Sequence, residues 1–242
     1  MTQPHFVELS LEETEQLIAQ ALPATRRRLG ADRWWALVRD FCSLYYCCEP
    51  ELHKVAEEVL DYLDGAHRGA TSGYPGWLCD LAHYEWLHLA LRAAPAAVPQ
   101  APPVDPEGDL LQGAPVLSHL AWLVSYDYPV RQMVAGEAQQ GPLPQAQHLL
   151  LFRDRNEKVH VQEPDAFTAQ LLERIEADPE LTGAAAIATA AEAVGLPAAV
   201  WTEHGAQRLA SLRRSGVLIG SRVLPTPPWS SSPRHRHLRI PR

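Results

Sequence analysis

A proline-rich stretch near the middle of the chain limits the folds that are open to it. The segment "APAAVPQAPPVDPEGD" contains five prolines, and a proline inside a helix removes a backbone donor and clashes with the preceding turn. No helix can continue through such a segment, so we assign residues 93–108 to a proline-rich linker. The 242 residues are therefore expected to fold as two parts, one on each side of the linker.

The part before the linker, residues 1–92, has the apolar spacing of a helical domain. Ser10 followed by Glu13 has the form of a capping box, which predicts a helix through about Leu22. Gly65 stands where a later helix would end, so residues 65–76 are expected to form a loop. Two blocks of apolar residues recur at helical spacing between these points: Trp34, Leu37, Val38, Phe41, Leu44 and Tyr45, then Leu52, Val55, Ala56, Val59, Leu60 and Leu63.

The stretch "LCDLAHYEWLHLAL", residues 78–91, contains a candidate metal motif. His83 and His88 are five residues apart, which separates them by ~140° around a helix and is too wide for one ion. Glu85 and His88 share a helical face, but a metal site in a helical bundle needs two such Glu-x-x-His motifs. We find no second motif and favour a core helix that packs Leu78, Leu81, Trp86 and Leu89.

The part after the linker changes to the periodicity of strands. Alternating apolar residues from Leu120 to Tyr128 predict an extended segment, and we assign residues 109–147 to a connecting segment that contains it. In "HLLLFRDRNEKVHVQ", two β-rich runs flank the polar turn Asp154–Glu157 and predict a hairpin.

Three helices and a closing strand are expected after the hairpin. Asp165 and Thr182 are suitable N-cap residues for the first two helices, Pro197 starts the third, and Gly216 ends it. The run "VLIGSRVL" has the composition of a strand. This order is typical of a winged-helix-like domain over residues 148–221, so the predicted fold class is α+β, mostly α.

The charge is unevenly distributed along the chain. The formal net charge is −8, but residues 222–242 contain five arginines and no acidic residue, so residues 1–221 carry −13 (16 basic against 29 acidic residues). Residues 222–242 are also rich in proline and serine, and we expect them to form a basic, disordered tail. The acidic body argues against nonspecific binding to nucleic acid.

Cysteine spacing and hydropathy predict a cytoplasmic location. The chain has no apolar run long enough to cross a membrane and no signal peptide at its start, so a soluble protein is expected. The four cysteines form no C-x-x-C pair, and free thiols are expected: Cys42, Cys47, Cys48 and Cys79. A disulfide between the adjacent Cys47 and Cys48 is the alternative.

A winged-helix-like domain has two common uses, recognition of DNA and capture of a peptide as an added strand. Residues 148–221 have a net charge of −3 (7 basic against 10 acidic residues). Glu203 stands near the start of the third helix, where phosphate would approach, whereas DNA-binding helices are usually basic there. The residues therefore favour peptide capture. A transcription regulator with a helical N-terminal domain is the alternative function.

Four segments of the chain carry a resemblance to a known family. They are "GADRWWALVRDFCSLYYCCEPELHKVAEEVLDYL", "YPGWLCDLAHYEWLHLAL" with its Glu-Trp pair, "GDLLQGAPVLSHLAWLVSYDYPVRQM", and "HLLLFRDRNEKVHVQEPDAFTAQLLERI". In this order they resemble the HvfC/MbnC type of maturation protein. Members of that family are partner subunits of multinuclear non-heme iron enzymes that modify ribosomally made peptides.

The resemblance implies an accessory subunit that is not itself an enzyme. No catalytic residue, metal or other cofactor is expected in this chain, because the iron belongs to a barrel-type partner enzyme. The second implied partner is a precursor peptide whose cysteines the enzyme modifies; no membrane or nucleic acid is expected. Glu85 then belongs to a structural helix and should form hydrogen bonds within the bundle, since an unpaired buried carboxylate is costly.

The hairpin is the predicted peptide-binding site, because an edge strand leaves backbone groups unpaired. Alternation places Leu149 and Leu151 on one face of its first strand and Leu150 and Phe152 on the other. A docked peptide is expected to cover one of these faces; the alternative cover is the N-terminal helices or segment 126–130. The predicted peptide-binding residues are Leu149, Leu150, Leu151, Phe152, Val159, Val161, Phe167 and Leu171.

An aromatic run before the hairpin is the predicted partner interface. Aromatic side chains bury a large area with few rotamers, which suits either the junction of the two parts or contact with the enzyme. The predicted interface residues are Trp122, Tyr126, Tyr128, Pro129 and Arg131.

Overall fold

The computed structural model describes residues 9–44, 51–68, 73–97, 103–137, 141–195 and 197–223. Within these ranges the chain forms nine α-helices and six β-strands, which confirms an α+β fold that is mostly helical. No helix in these ranges is long and apolar enough to cross a membrane. Cys42 and Cys79 are free thiols, whereas Cys47, Cys48 and the predicted tail beyond Val223 lie outside the described residues.

Five helices form the part before the proline-rich stretch: α1 (Leu11–Ala21), α2 (Pro23–Leu29), α3 (Ala31–Leu44), α4 (Leu52–Arg68) and α5 (Leu78–Ala93). The predicted capping box opens α1, since Glu13 N donates to Ser10 Oγ at 3.2 Å and Ser10 N donates to Glu13 Oε2 at 2.8 Å. The predicted helix end at Gly65 was wrong, because α4 continues to Arg68. A glycine within a helix costs only ~1 kcal/mol, which tertiary packing of the helix can outweigh.

One apolar core joins these five helices. The predicted core role of α5 is confirmed, because Leu78 and Leu81 are fully buried and Trp86 and Leu89 pack against the same core. Its largest fully buried side chains in this part of the chain are Ile18, Leu22, Trp34, Leu37, Phe41, Leu63, Leu78, Leu81 and Leu91.

The remaining elements form two small antiparallel sheets and four helices. The strands are β1 (Val104–Asp105), β2 (Pro115–Leu117), β3 (Ala121–Tyr126), β4 (Gln147–Arg153), β5 (Val159–Gln162) and β6 (Leu218–Arg222). The helices are α6 (Val130–Ala135), α7 (Ala166–Ala177), α8 (Gly183–Ala193) and α9 (Ala198–Ser215). One sheet has the order β1–β6–β2 and the other β3–β4–β5.

The predicted ends of the C-terminal helices are confirmed. Asp165 accepts a hydrogen bond from Thr168 N at 2.7 Å at the start of α7, and Thr182 accepts one from Ala185 N at 3.3 Å at the start of α8. Gly216 follows α9 with φ of 85°, a left-handed conformation that suits glycine.

Sheet pairing differs from the sequence prediction at three places. Val104 and Asp105, predicted as linker, form β1 and pair with β6. The predicted connecting segment supplies β3, which pairs with residues 147–152 of β4. The closing strand β6 pairs with β1 and β2, and it includes Arg222, which the sequence assigns to the tail. The winged-helix-like arrangement stays a prediction.

The sheet β3–β4–β5 is a layer shared by two apolar cores. Leu149 and Leu151 on β4 belong to the core of the N-terminal helices, together with Val159 and Val161 on β5. Leu150 and Phe152, on the opposite face, belong to a second core that contains side chains of α7, α8 and α9. The predicted alternation along β4 is confirmed, and both faces of this strand are covered by the chain itself.

Candidate functional site

Glu85 on α5 caps the start of α2. Its carboxylate accepts hydrogen bonds from Ala24 N at 2.7 Å, Thr25 N at 2.8 Å and Thr25 Oγ1 at 2.7 Å. These N–H groups belong to the first turn of α2, whose N-cap residue Leu22 has no side-chain acceptor. Burial raises the pKa of Glu85, and the bonds from Ala24 and Thr25 oppose that rise. The expectation that Glu85 forms hydrogen bonds within the bundle is confirmed.

The two histidines of α5 have packing partners of their own. His83 Nδ1 lies 3.0 Å from Tyr126 Oη, and the ring of His88 packs edge-on against Tyr84 with centroids 4.9 Å apart. Burial lowers the pKa of both imidazoles, which favours their neutral forms near pH 7. Within the described ranges, no three His, Cys, Asp or Glu side chains form a group that could hold a metal ion.

Six of the eight predicted peptide-binding residues lie in the protein core. Their exposed fractions run from 0% to 4%, and they are Leu149, Leu150, Leu151, Phe152, Phe167 and Leu171. The central strand β4 is paired with β3 on one side and β5 on the other, so it has no free edge. The chain itself covers these side chains, and their role in peptide binding stays a prediction. Val159 and Val161 remain partly exposed.

The predicted partner interface lies largely at the junction of the two parts. Tyr126 and Pro129 are buried, and their role as enzyme contacts stays a prediction. Trp122 and Tyr128 are partly buried against the N-terminal core, and the indole of Trp122 stacks on Trp86 with centroids 6.2 Å apart. The aromatic run thus packs the two parts together, which was one of its two predicted roles.

Charged side chains also join the two parts. The guanidinium of Arg153 on β4 donates to the carbonyl oxygens of Arg92 and Ala94, at 2.9 Å and 2.7 Å, where α5 ends. The Asp80 carboxylate on α5 accepts from the N–H groups of residues 127–128, at 2.9 Å and 3.1 Å. These contacts fix the position of the sheet relative to α5.

The open edge of the hairpin is β5. Arg153 N donates to Leu120 O at 2.9 Å, on the side of β4 away from β5. Val159 is the residue opposite Arg153 on β5. Because the N–H of Arg153 points away from β5, the two residues form a non-hydrogen-bonded pair, in which the backbone N–H and C=O groups of each residue point away from the other strand. The N–H and C=O groups of Val159, and of Val161 two residues later, therefore point outward from the sheet.

A groove lies beside this edge, between the hairpin and the last turn of α9. It includes side chains on the face of β5 opposite the valines. The residues that matter for its chemistry are Phe152, Arg155, His160, Gln162, Arg214 and Ser215. Sequence reasoning missed Arg155 and Arg214, because they are far apart along the chain and neither is part of a motif. The hairpin pattern alone indicates His160 and Gln162, which alternate with Val159 and Val161.

Comparison with known families places this edge within a recognised domain. Residues 118–213 match the model of the HvfC C-terminal domain. The chain carries an HvfC-type domain. No protein of curated function matches the chain.

The HvfC C-terminal domain begins before the hairpin. Its match starts at Ser118 and ends at Arg213. It therefore includes β3, the hairpin β4–β5, the helices α6, α7 and α8, and α9 up to its last turn. The sequence-based boundary at residue 148 left out β3, which completes the sheet. Arg214 and Ser215 follow the match directly and line the groove beside β5.

Proposed function

We propose that the chain is an accessory subunit that holds a precursor peptide for an iron-dependent oxidative enzyme. The HvfC-type domain supports an accessory partner role. The observation that carries the proposal is the open β5 edge in that domain. The peptide binds there as an added strand, and its cysteines reach the partner enzyme, which holds the iron and performs the oxidation.

Strand addition gives affinity through main-chain hydrogen bonds and specificity through alternate side chains. The outward N–H and C=O groups of Val159 and Val161 supply the hydrogen bonds. The other edge of the sheet is β3, where Ala121 N already donates to Ser118 O at 3.0 Å. The groove between the hairpin and α9 favours β5, because it gives the peptide side chains a concave surface beside the edge.

The alternative of a DNA-binding regulator gains no support from α9, the third helix. Arg208 forms an ion pair with Asp165 at 2.7 Å, and Arg213 donates to Gly108 O at 3.0 Å. These two cations are engaged within the protein and are less available to displace counterions from phosphates, which leaves Arg214 as the exposed arginine at the end of α9.

The enzyme contact in this proposal includes the accessible part of the predicted interface, which is formed by Trp122, Tyr128 and Arg131. Aromatic residues and arginine are enriched at protein interfaces. Arg131 is exposed and pairs with Glu163 at 2.5 Å, just after β5. An enzyme bound at Arg131 would therefore lie close to a peptide on the β5 edge.

Proline in place of Val161 tests the site. It removes an outward N–H without adding charge and leaves the ladder to β4 intact. We expect about tenfold weaker binding of a synthetic precursor peptide that contains cysteines, since a ladder bond is worth ~1 kcal/mol and its neighbours are disturbed. Calorimetry with the folded variant measures this, and enzyme binding should be unchanged.

Ser125→Pro is the matched control on the β3 edge. Ser125 has the same outward orientation as Ala121, whose N–H points away from β4. Peptide binding should be unchanged in this variant. If Ser125→Pro weakens peptide binding and Val161→Pro keeps the parental affinity, the peptide binds at the β3 edge instead. If both variants keep the parental affinity, strand addition to this sheet is contradicted.

Reconstitution tests the accessory role itself. The purified enzyme and the same peptide should give oxidised product, detected by mass spectrometry, only when this chain is added. Equal product without the chain would contradict the proposed function.

A further inference from the structure

Two arginines that have no partner among the described residues border the groove beside β5. Arg155 lies in the β4–β5 turn and Arg214 in the last turn of α9, and both are exposed. Neither guanidinium has a hydrogen-bond or ion-pair partner within the part of the chain that the structure describes, whereas Arg208 and Arg213 on the same helix are engaged. The groove therefore has two available cations.

Among the described residues that line the groove, Asp154 is the one carboxylate, and it already has three hydrogen-bond partners. Asp154 Oδ2 lies 2.7 Å from His160 Nε2, and Oδ1 accepts from Asn156 N at 2.8 Å and Lys158 N at 3.0 Å. The hydrogen bond with His160 is the main cause that lowers the pKa of Asp154. Asp154 therefore stabilises the hairpin turn, and its ion-pair partner is His160 and not either arginine.

An added strand would place its side chains alternately on the two faces of the sheet. On one face they lie beside Val159 and Val161, which pack against the apolar N-terminal core. On the other face they lie beside His160 and Gln162, in the groove with the arginines. One set of peptide side chains thus meets apolar surface and the other meets guanidinium groups.

We infer that the groove selects an extended peptide segment in which apolar and acidic residues alternate, with its carboxylates bound by Arg155 and Arg214. This inference rests on the proposed strand addition at β5. The chain as a whole repels an acidic peptide, because its net charge is −8. Selection of such a peptide must therefore come from local pairing, for which the fork-shaped guanidinium is well suited.

Synthetic peptides of about eight residues that alternate valine with glutamate, glutamine or lysine test the selection. Labelled with fluorescein, they are titrated with the full chain at low salt, and binding is followed by fluorescence anisotropy. We expect the glutamate peptide to bind about tenfold more tightly than the glutamine peptide, which corresponds to ~1.4 kcal/mol, and the lysine peptide to bind most weakly. The preference for glutamate should decrease as salt is added.

A double variant, Arg155→Gln with Arg214→Gln, should reduce the preference for glutamate to about twofold or less. The matched control is Arg33→Gln with Arg39→Gln, which removes the same charge from exposed positions on α3 and should keep the tenfold preference.

The outcomes separate this inference from the proposed function. Equal binding of the glutamate and glutamine peptides by the parent chain overturns the charge selection and leaves strand addition standing. Binding of none of the three peptides overturns strand addition at β5 and the selection with it. Equal loss of the preference in both double variants shows a general charge effect and overturns the assignment to the groove.

Discussion

Alanine in place of Leu151 is expected to lower the free energy of unfolding by about 2–5 kcal/mol. Leu151 is 0% exposed and is one of the largest fully buried side chains. Trp122 on β3 and Val161 on β5 are its partners across the sheet, and the N-terminal helices cover this face. The variant loses the transfer free energy of the removed methyl groups and leaves a cavity that rigid neighbours on several elements cannot fill.

Chemical denaturation measures this loss, and Leu44→Ala is the control. Leu44 lies on α3 with 71% of its surface exposed, so its truncation should change the free energy by about 0.5 kcal/mol or less. The parent chain should unfold in a single transition, because both cores share the sheet. Leu150→Ala, on the opposite face of β4, should lower the denaturant midpoint of that transition, as Leu151→Ala does.

The same variants distinguish core from binding surface. If Leu151→Ala kept full stability and weakened only peptide binding, β4 would be a peptide surface and the shared-layer fold would be contradicted. Two separate transitions, one for each of the Leu150 and Leu151 variants, would instead show that the cores unfold independently.

Local signals in the sequence predicted the elements that depend on local contacts. Ser10, Asp165 and Thr182 each form the expected hydrogen bond within three residues of their own position. A capping residue and the N–H that it satisfies are separated by one turn, so the pattern contains the whole interaction. The same holds for the alternation of Leu149–Phe152, which depends only on strand geometry.

Contacts between distant segments could not be predicted from these patterns. The sequence showed that β4 is apolar on both faces, but it did not show which segments cover them. A docked peptide and the N-terminal helices satisfy the same apolar pattern, and only the tertiary fold decides between them. The pairing of β6 with Val104–Asp105 depends on where three helices return the chain, which short-range periodicity does not contain.

In the candidate site too, local patterns predicted some residues, and others are brought together only by the tertiary fold. Val159 and Val161 were predicted from the hairpin pattern and lie on its open edge. Arg155 and Arg214 border the groove because the end of α9 passes beside the hairpin. Neither residue has a sequence pattern that marks it, since an isolated arginine in a turn or at a helix end is common. Their assignment depends on the tertiary structure and on their lack of partners within the described residues.

Glu85→Ala is expected to destabilise the chain by about 3 kcal/mol, because it leaves the first turn of α2 without its acceptor. Loss of an N-cap costs about 0.5–2 kcal/mol, and hydrogen bonds to a charged group contribute about 1.5–3 kcal/mol each. Ala24 and Thr25 are buried, so water cannot readily replace the carboxylate. Glu85→Gln keeps one carbonyl acceptor, so its free energy of unfolding should fall by about half as much. The control is Glu57→Ala, on the exposed face of α4, whose free energy of unfolding should fall by about 0.5 kcal/mol or less.

The cap on α2 also supports the contact between the two parts of the chain. Arg27 and Arg28, at the other end of α2, donate to Val134 O at 2.8 Å and to Met133 O at 3.1 Å at the end of α6. If α2 frays in Glu85→Ala, hydrogen exchange at the amides of α6 should accelerate together with exchange in α2. Parental stability of Glu85→Ala would contradict the capping role. A stoichiometric metal ion in the parent chain that is lost in Glu85→Gln would assign Glu85 to a metal site instead.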